Sequence, residues 1–336
     1  MHNVTLIKGD GIGPSIMDAA VAVIDASGAK INWLEAEAGL AAYERTGTPL
    51  PDATLESIEK TRVAFKGPLT TMVGEGFRSI NVELRKRYDL YANVRPAKNW
   101  NGVKTRYDNV DIVIVRENTE GLYVGLEHYL TADKDIAESL AVVTRKASER
   151  IVEYAFQYAR DNNRKKVTVC HKANILKFTQ GLFLKTAREV AAKYPDIEFD
   201  EKIVDAACMH MVMKPEQFDV VVTTNMFGDI LSDLTAGLVG GLGLIPGANI
   251  GADAALFEAV HGSAPDIAGK NIANPIAVMM AGVMMLNHLG EHDAANRMQT
   301  AIEKVVTEGK FVTPDLNPNS TTGTSEMAEA IIAAMV

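Results

Sequence analysis

Cysteine is nearly absent: Cys170 and Cys208 are the only two in a chain of 336 residues, and neither has a second cysteine at CxxC spacing. That excludes a disulfide framework and a cysteine-built zinc site, and leaves two buried thiols in a reducing compartment. Positive charge is also in short supply. Lys and Arg total 34 against 43 Asp and Glu, a net charge of −9. So acidic a chain lacks the basic surface that a nucleic acid requires. It can bind an acidic small molecule only through a local cluster of Arg or Lys. Long apolar runs are missing. The longest, Ile276–Leu286, is about half the roughly twenty residues needed to cross a bilayer and reads as a buried helix. Repeats, low-complexity tracts and flexible linkers are missing too. The chain enters on a strand-like run without a signal peptide, so a cytosolic protein is expected.

What is present is alternation. Short β-branched runs ("VTLI", "RVAFKG", "DIVIVRE", "KVTVCHK", "DVVVTTN") alternate with helical patterns at Ile16–Asp25, Thr54–Lys60, Ala147–Arg160 and Leu182–Lys193, and a last helix begins at Ser325. Unbroken Val/Ile strands between helices predict an α/β protein with a parallel or mixed sheet buried on both faces. The length predicts about two domains. Two polar or glycine-rich segments, Val94–Asp111 and Gly240–Gly251, are candidate crossings between them.

The stretch Ile7–Ser15, "IKGDGIGPS", places three glycines between a strand and a helix. Gly11 and Gly13 fit the first two positions of the dinucleotide fingerprint G-x-G-x-x-G, but the third falls on Ile16 and Pro14 intervenes. Only Glu35 is near the position of the expected acidic residue. The turn therefore reads as a tight strand-to-helix connection, with Pro14 in the first helical turn. A second loop, Phe257–Pro275, carries His261, Gly262, Ser263, Gly269 and Asn274 and offers backbone N–H groups and polar side chains to a ligand.

Charge is concentrated in a few places. "FRSINVELRKRYDLYANVRP" supplies Arg78, Arg85 and Arg95 with Ser79 and Asn81, and "VIVRENTEGLY" supplies Arg116 and Tyr123. An Arg at the carboxyl end of a buried strand lies where α/β sheets bind ligands, and guanidinium groups pair bidentately with carboxylates. Surface ion pairs are the alternative for any single one of them. In "FGDILSDL", Asp229 and Asp233 are four residues apart on one helix face, where like charges repel. Either a divalent cation of the Mg²⁺ or Mn²⁺ kind or a nearby basic side chain must offset that repulsion. Lys172 follows a buried strand directly, and beside a cation it can act as a proton acceptor. Arginines for carboxylates, paired aspartates, a Lys, a Tyr and a glycine-bearing loop are the parts needed to oxidise a hydroxy acid and release CO₂.

These motifs resemble the β-decarboxylating dehydrogenases, the family of isocitrate, homoisocitrate and 3-isopropylmalate dehydrogenases. The resemblance runs from "IKGDGIGP" to "TTGTSEMAEAI". Its most specific marks are "NMFGDILSDLTAGLVGGLGLIPGANIG" and "FEAVHGSAPDIAGKNIANP". It implies an isopropylmalate dehydrogenase-like α/β fold, not a Rossmann fold, with two domains around a mixed parallel sheet. Residues 1–98 with 251–336 would form the large cofactor-binding domain, and 99–250 the small domain that makes a homodimer or higher homo-oligomer. The resemblance places NAD adenosine on His261, Gly262, Ser263, Ala264, Asp266, Ile267 and Asn274, and the nicotinamide between Thr71 and Asn174. Relatives that use NADP resemble Lys-Tyr where Asp266-Ile267 stand here; the Asp266 carboxylate would repel a 2′-phosphate, so NAD is expected. The resemblance further implies that Arg85, Arg95 and Arg116 clamp substrate carboxylates. Asp229 and Asp233, with Asp205 of a second subunit, would hold Mg²⁺ or Mn²⁺. Tyr123 and Lys172 would move protons, Lys172 also coming from the second subunit. "SINVELR" matches the Ser-x-Asn-x-x-x-Arg of isocitrate-using relatives, with Ser79 and Asn81 meeting the third carboxylate. "YANVRPAK", "RENTEGLYVG" and "HKANILKFTQGLF" look as much like homoisocitrate dehydrogenases. NAD-dependent isocitrate dehydrogenase is the expectation, with homoisocitrate or 3-isopropylmalate as alternative substrates. A non-catalytic regulatory subunit should have lost catalytic residues, and a metal-independent Rossmann dehydrogenase should show the fingerprint; neither condition is met.

Overall fold

The computed structural model describes residues 1–71 and 79–335. Arg78 lies outside the described residues. Strands β1 (His2–Ile7), β2 (Ile31–Ala36), β3 (Val63–Lys66), β4 (Ala92–Lys98) and β5 (Asp111–Glu117) are followed by a small hairpin, β6 (Glu127–Tyr129) and β7 (Ala137–Ser139). The later strands are β8 (Lys166–His171), β9 (Glu198–Ile203), β10 (Val220–Thr223), β11 (Pro246–Ile250) and β12 (Ala255–Ala259). The helices are α1 (Gly13–Ala26), α2 (Leu40–Thr46), α3 (Asp52–Thr61), α4 (Ile80–Arg87), α5 (Arg145–Asp161) and α6 (Thr179–Ala191). After them come α7 (Val204–Met213), α8 (Asn225–Val239), α9 (Ile276–His288), α10 (His292–Glu308) and α11 (Thr324–Ala334).

Ten strands form one sheet in the order β2-β1-β3-β12-β11-β4-β5-β10-β8-β9. The four strands at one end are mutually parallel, as are the four at the other end. Antiparallel pairing of β11 with both β12 and β4, and of β4 with β5, reverses the direction in the middle. This mixed order is not a Rossmann sheet. β11 lies between β12 and β4, and β4 between β11 and β5, so strands from residues 1–98 and 99–250 interleave at the centre of the sheet.

Both candidate crossings contain part of a central strand, so they are less irregular than their composition suggests. Pro96 would break a ladder on its N–H side, but the β11–β4 pairing runs only from Ala248↔Val94 to Ile250↔Ala92, so Pro96 faces β5 alone. Pro246 is the first residue of β11, where a missing donor is tolerated. The irregular part of the first segment shrinks to residues 99–110.

Because side chains alternate along a strand, the sheet has two unlike faces. On the back, Val4, Phe65, Phe257, Ala248, Val94, Val115, Val222 and Val169 join residues of α1, α5, α6, α9, α10 and α11 in one continuous apolar core. α9 is apolar on all sides, as befits a helix with no solvent face. On the front, the core is split. One cluster gathers Ile7, Ala64 and Leu256 under α3 and α4. The other gathers Ala97, Ile112, Ile114, Val221 and Cys170 under α7 and α8.

Candidate active site

The gap between the two front clusters is floored by polar side chains of the central strands. Pairing aligns Lys66 with Glu258 and Asn249 with Asn93, which in turn faces Arg116. Lys66, Asn93, Asn249 and Arg116 are 0–1 % exposed. Burying such groups is tolerated only when they are paired. Lys66 Nζ lies 2.7 Å from Glu258, Asn249 Nδ2 donates to the other Glu258 oxygen at 2.8 Å, and Asn93 Nδ2 donates to Asn249 Oδ1 at 2.7 Å. Burial alone would raise the Glu258 carboxyl; the Lys66 and Arg85 cations overcome it and hold it down at about 2.

Over this floor is a cavity of about 580 Å³, bounded by α4 on one side and α8 on the other. Arg85, Arg95 and Arg116 all line it, together with Thr71, Ser79, Asn81, Tyr123, Asp229, His261, Gly262 and Ser263. Two of the guanidiniums are depressed by burial and by their neighbours' charge. Burial lowers Arg95, and Arg85 lowers it further; Arg116 is lowered to about 10 by burial, then by Arg95 and Arg85. Three crowded cations are a receptor for more than one anionic group. Among the described residues, Arg85 Nε, Arg95 Nε and Asn81 Oδ1 are buried without a partner. Ser79 begins α4, yet its hydroxyl makes no capping hydrogen bond.

Asp229 is the hub opposite. Its Oδ1 pairs with Arg116 and, at 3.3 Å, with Arg95, while Tyr123 Oη donates to Oδ2 at 2.6 Å. Burial would raise this carboxyl, but Arg116, the Tyr123 hydrogen bond and Arg95 hold it below the ordinary range. Arg116 is placed by Asn225 Oδ1, which accepts from Nε and Nη2 at 3.0 and 2.7 Å, and by Gly228, where a Cβ would lie 2.5 Å from the arginine stem. Burial raises the Tyr123 hydroxyl, as does its bond to Asp229, so it stays protonated. Asp233, one turn along α8, is raised by partial burial against the pull of Arg95, with the Asp229 charge adding to the rise. In the protein alone, then, arginines offset the charge of Asp229, and Asp233 keeps a carboxylate that disfavours its own ionisation.

The second glycine-bearing loop follows β12. His261 Nδ1 lies 3.0 Å from the Gly262 carbonyl, and burial lowers its pKa, so the ring is neutral, with Nε2 buried and unpartnered among the described residues. Ala264 adopts a left-handed conformation (φ 39°), unusual for a side chain with Cβ. Asp266 and Ile267 lie in a short 3₁₀ turn, Asp266 exposed. Asn274 Oδ1 accepts from the Ile276 N–H at the start of α9, and its Nδ2 donates to Asp315.

Lys172, Asn174, Asp205 and Asp233 do not line the cavity, nor do Ala264, Asp266, Ile267 and Asn274. Lys172 and Asp205 instead pair with each other at 2.6 Å. Among the described residues no three His, Cys, Asp or Glu side chains cluster as metal ligands. Sequence reasoning missed Lys66, Asn93, Asn249 and Glu258. The signal that singled out Arg116, a charge within an apolar strand, is also present in "RVAFKG" and "ALFEAV".

Known proteins share this fold. The model of the isocitrate/isopropylmalate dehydrogenase family matches residues 3–331. A crystal structure of isocitrate dehydrogenase from Methylococcus capsulatus superposes with TM-score 0.98 at 64 % identity, covering 100 % of this chain and 99 % of that one. Isocitrate dehydrogenase [NAD] catalytic subunit 5, mitochondrial, of Arabidopsis thaliana is 51 % identical over 97 % of this chain and 87 % of its own length. The chloroplastic 3-isopropylmalate dehydrogenase of Solanum tuberosum is 51 % identical over 91 % of this chain and 85 % of its own. The chain belongs to the isocitrate/isopropylmalate dehydrogenase family.

Proposed function

We propose that this protein is an oxidoreductase that converts isocitrate to 2-oxoglutarate and CO₂ with NAD. The observation that carries the reading is the convergence of Arg85, Arg95 and Arg116 on one cavity, with the Ser79 hydroxyl, which makes no capping bond, and Asn81 Oδ1, without a partner among the described residues, on the same wall. Three cations suit a ligand with several carboxylates, and the Ser/Asn pair offers hydrogen bonds to the third. NAD relatives support the cofactor. Thr71 and Asn174 would flank the nicotinamide. The adenosine would lie on the loop from His261 to Asn274, where the exposed Asp266 carboxylate accepts hydrogen bonds from ribose hydroxyls and repels a 2′-phosphate.

Hard carboxylate oxygens on Asp229 and Asp233, the second with its pKa raised, fit Mg²⁺ or Mn²⁺. Asp205 of a second copy would complete the set. When bound, the ion supplies Lewis-acid stabilisation of negative charge developing on the substrate's oxygens. The protein's own residues do the rest. Arg85, Arg95 and Arg116 fix the carboxylates and orient C2 toward the nicotinamide for hydride transfer. Lys172 Nζ of the second copy accepts the hydroxyl proton. After CO₂ departs, Tyr123 Oη, protonated and pointed into the cavity, delivers a proton to C3.

A homodimer with shared sites accounts for the distance of Lys172 and Asp205 from the cavity. It is supported by the apolar side chains exposed around them: Phe178 is 92 % exposed, Ile175 66 % and Met213 65 %. Leu69 and Val82 on the cavity wall favour a second reading, a substrate with an apolar or longer arm such as 3-isopropylmalate or homoisocitrate. Reduction of NAD and of NADP, measured in parallel with isocitrate, homoisocitrate and 3-isopropylmalate, tests both. Preference for isocitrate with NAD is expected; a higher kcat/KM for either other acid would replace the first reading by the second.

A further inference from the structure

The opening glycine turn has the shape of a phosphate loop but spends its polar groups elsewhere. The Asp10 N–H donates to the Pro68 carbonyl at 2.8 Å, the Ile12 N–H to the Ser263 carbonyl at 2.9 Å, and the Gly13 N–H to the Asp10 carbonyl at 2.8 Å. None of these three donors is left for a ligand. The turn is pressed against both loops. A Cβ on Gly9 (φ 78°) would lie 2.3 Å from the Pro68 oxygen, and one on Gly11 (φ 60°) 2.0 Å from the Ser263 oxygen. Only glycine can approach so closely with positive φ.

The Asp10 side chain closes the junction. It is 7 % exposed. Its Oδ2 accepts the Thr70 N–H at 2.8 Å, and its Oδ1 accepts the Leu40 N–H at 2.9 Å. The Thr70 hydroxyl then meets the Ser263 hydroxyl at 3.0 Å. A closed ring of contacts therefore runs from Asp10 through Thr70 and Ser263 back to Ile12. Thr70 and Ser263 stand on two different walls of the cavity, one after β3 and one after β12. Asp10 itself does not line it.

We propose that Asp10 is a positioning residue: by holding Thr70 against Ser263 it sets the spacing of the two loops that receive the dinucleotide, and so its affinity. The proposal rests on the reading that these loops bind NAD. Asp10→Asn tests it, because one amide oxygen can still accept from Leu40 while the amide NH₂ then confronts the Thr70 N–H, donor against donor. The expected result is a rise of about tenfold in KM for NAD and in the Kd of NADH, from the loss of one charge-assisted hydrogen bond. kcat should change by less than about threefold, with little change in melting temperature. Ser263→Ala should weaken NADH binding too, and the double variant should be no worse than the weaker-binding single, since both break one tie. Thr70→Val with Ser263→Ala reads the same tie from the other side if Asp10→Asn does not fold. An unchanged KM and Kd, a fall in melting temperature without a change in KM, or multiplicative effects in the double variant would each overturn the proposal. Failure of the unmodified protein to bind NADH would instead overturn the NAD reading.

Discussion

On the back of the sheet, Val94 and Val115 of the two central strands sit in one apolar core. On the front, their chain neighbours Arg95 and Arg116 sit in a gap between two cores. The backbone is shared and the pairing is continuous, so the difference lies entirely in what alternate residues carry. Apolar side chains on the back let six helices seal it. Charged and amide side chains on the front keep α4 and α8 apart, because a helix laid over Lys66, Asn93 or Arg116 would strip water from groups that need partners. A site arises in this molecule where the core is interrupted, and the interruption is written one residue out of phase with the strands' apolar pattern.

The sharpest way to break this comparison is to change one residue on each face of β5. Arg116→Met should lower kcat/KM for isocitrate about 10³-fold, since truncating one partner of a buried, hydrogen-bonded charge pair costs several kcal/mol. Val115→Ala should instead cost about 1–3 kcal/mol of stability and leave kcat/KM at 25 °C within a few-fold of the original. Equal loss of activity in both would mean the faces are not separate. Next, Tyr123→Phe removes a single oxygen over the cavity. A fall of about 10²-fold in kcat with KM held is expected for a lost proton donor, and an unchanged kcat would remove Tyr123 from that role.

How far these faces were legible beforehand depended on strand length. In "DIVIVRE" the apolar run is long enough that a terminal Arg stands out as buried, and Arg116 is. "VAFK" and "LFEA" carry the same signal in shorter runs, where it is weaker, though Lys66 and Glu258 are 1 % and 7 % exposed. Pro and Gly suppress strand patterning in β4 and β11; only the register shows that β11 stops short of Pro96, so the missing N–H breaks no bond on that side. The convergence of Arg85, Arg95 and Arg116 was legible as chemistry, since nothing else in so acidic a chain could receive a polycarboxylate. Lys172 stood out only by its place after a buried strand and Asp205 only through the resemblance, and in this chain the two pair with each other.

Two further measurements sharpen the contrast in stability. Lys66→Met leaves Glu258 buried on the front with only Arg85, at 3.6 Å, to offset its charge, which should cost up to about 3–5 kcal/mol in denaturant unfolding; adding Glu258→Gln should recover part of it. On the back, Phe257→Ala should cost a similar amount through a cavity alone, with no second-site recovery from Glu258→Gln. If the two respond alike, the front ion pair is not behaving as a pair. The smallest effect is in pH dependence. Glu258 is held at about 2 in the folded protein, below its unfolded value of about 4.3. Its contribution is therefore present above about pH 4.3 and fades as pH falls toward about 2. Between those limits Glu258→Gln should flatten the acid loss of stability; an unaltered slope would contradict the depressed carboxyl.

The most direct test of the whole account is the rate of NAD reduction by isocitrate in enzyme stripped of divalent ions, measured before and after Mn²⁺ is restored. If the front-face gap joins a tricarboxylate, a dinucleotide and a cation held by Asp229 and Asp233, the stripped enzyme should be inactive and Mn²⁺ should return the rate. Undiminished turnover in the stripped enzyme would contradict it.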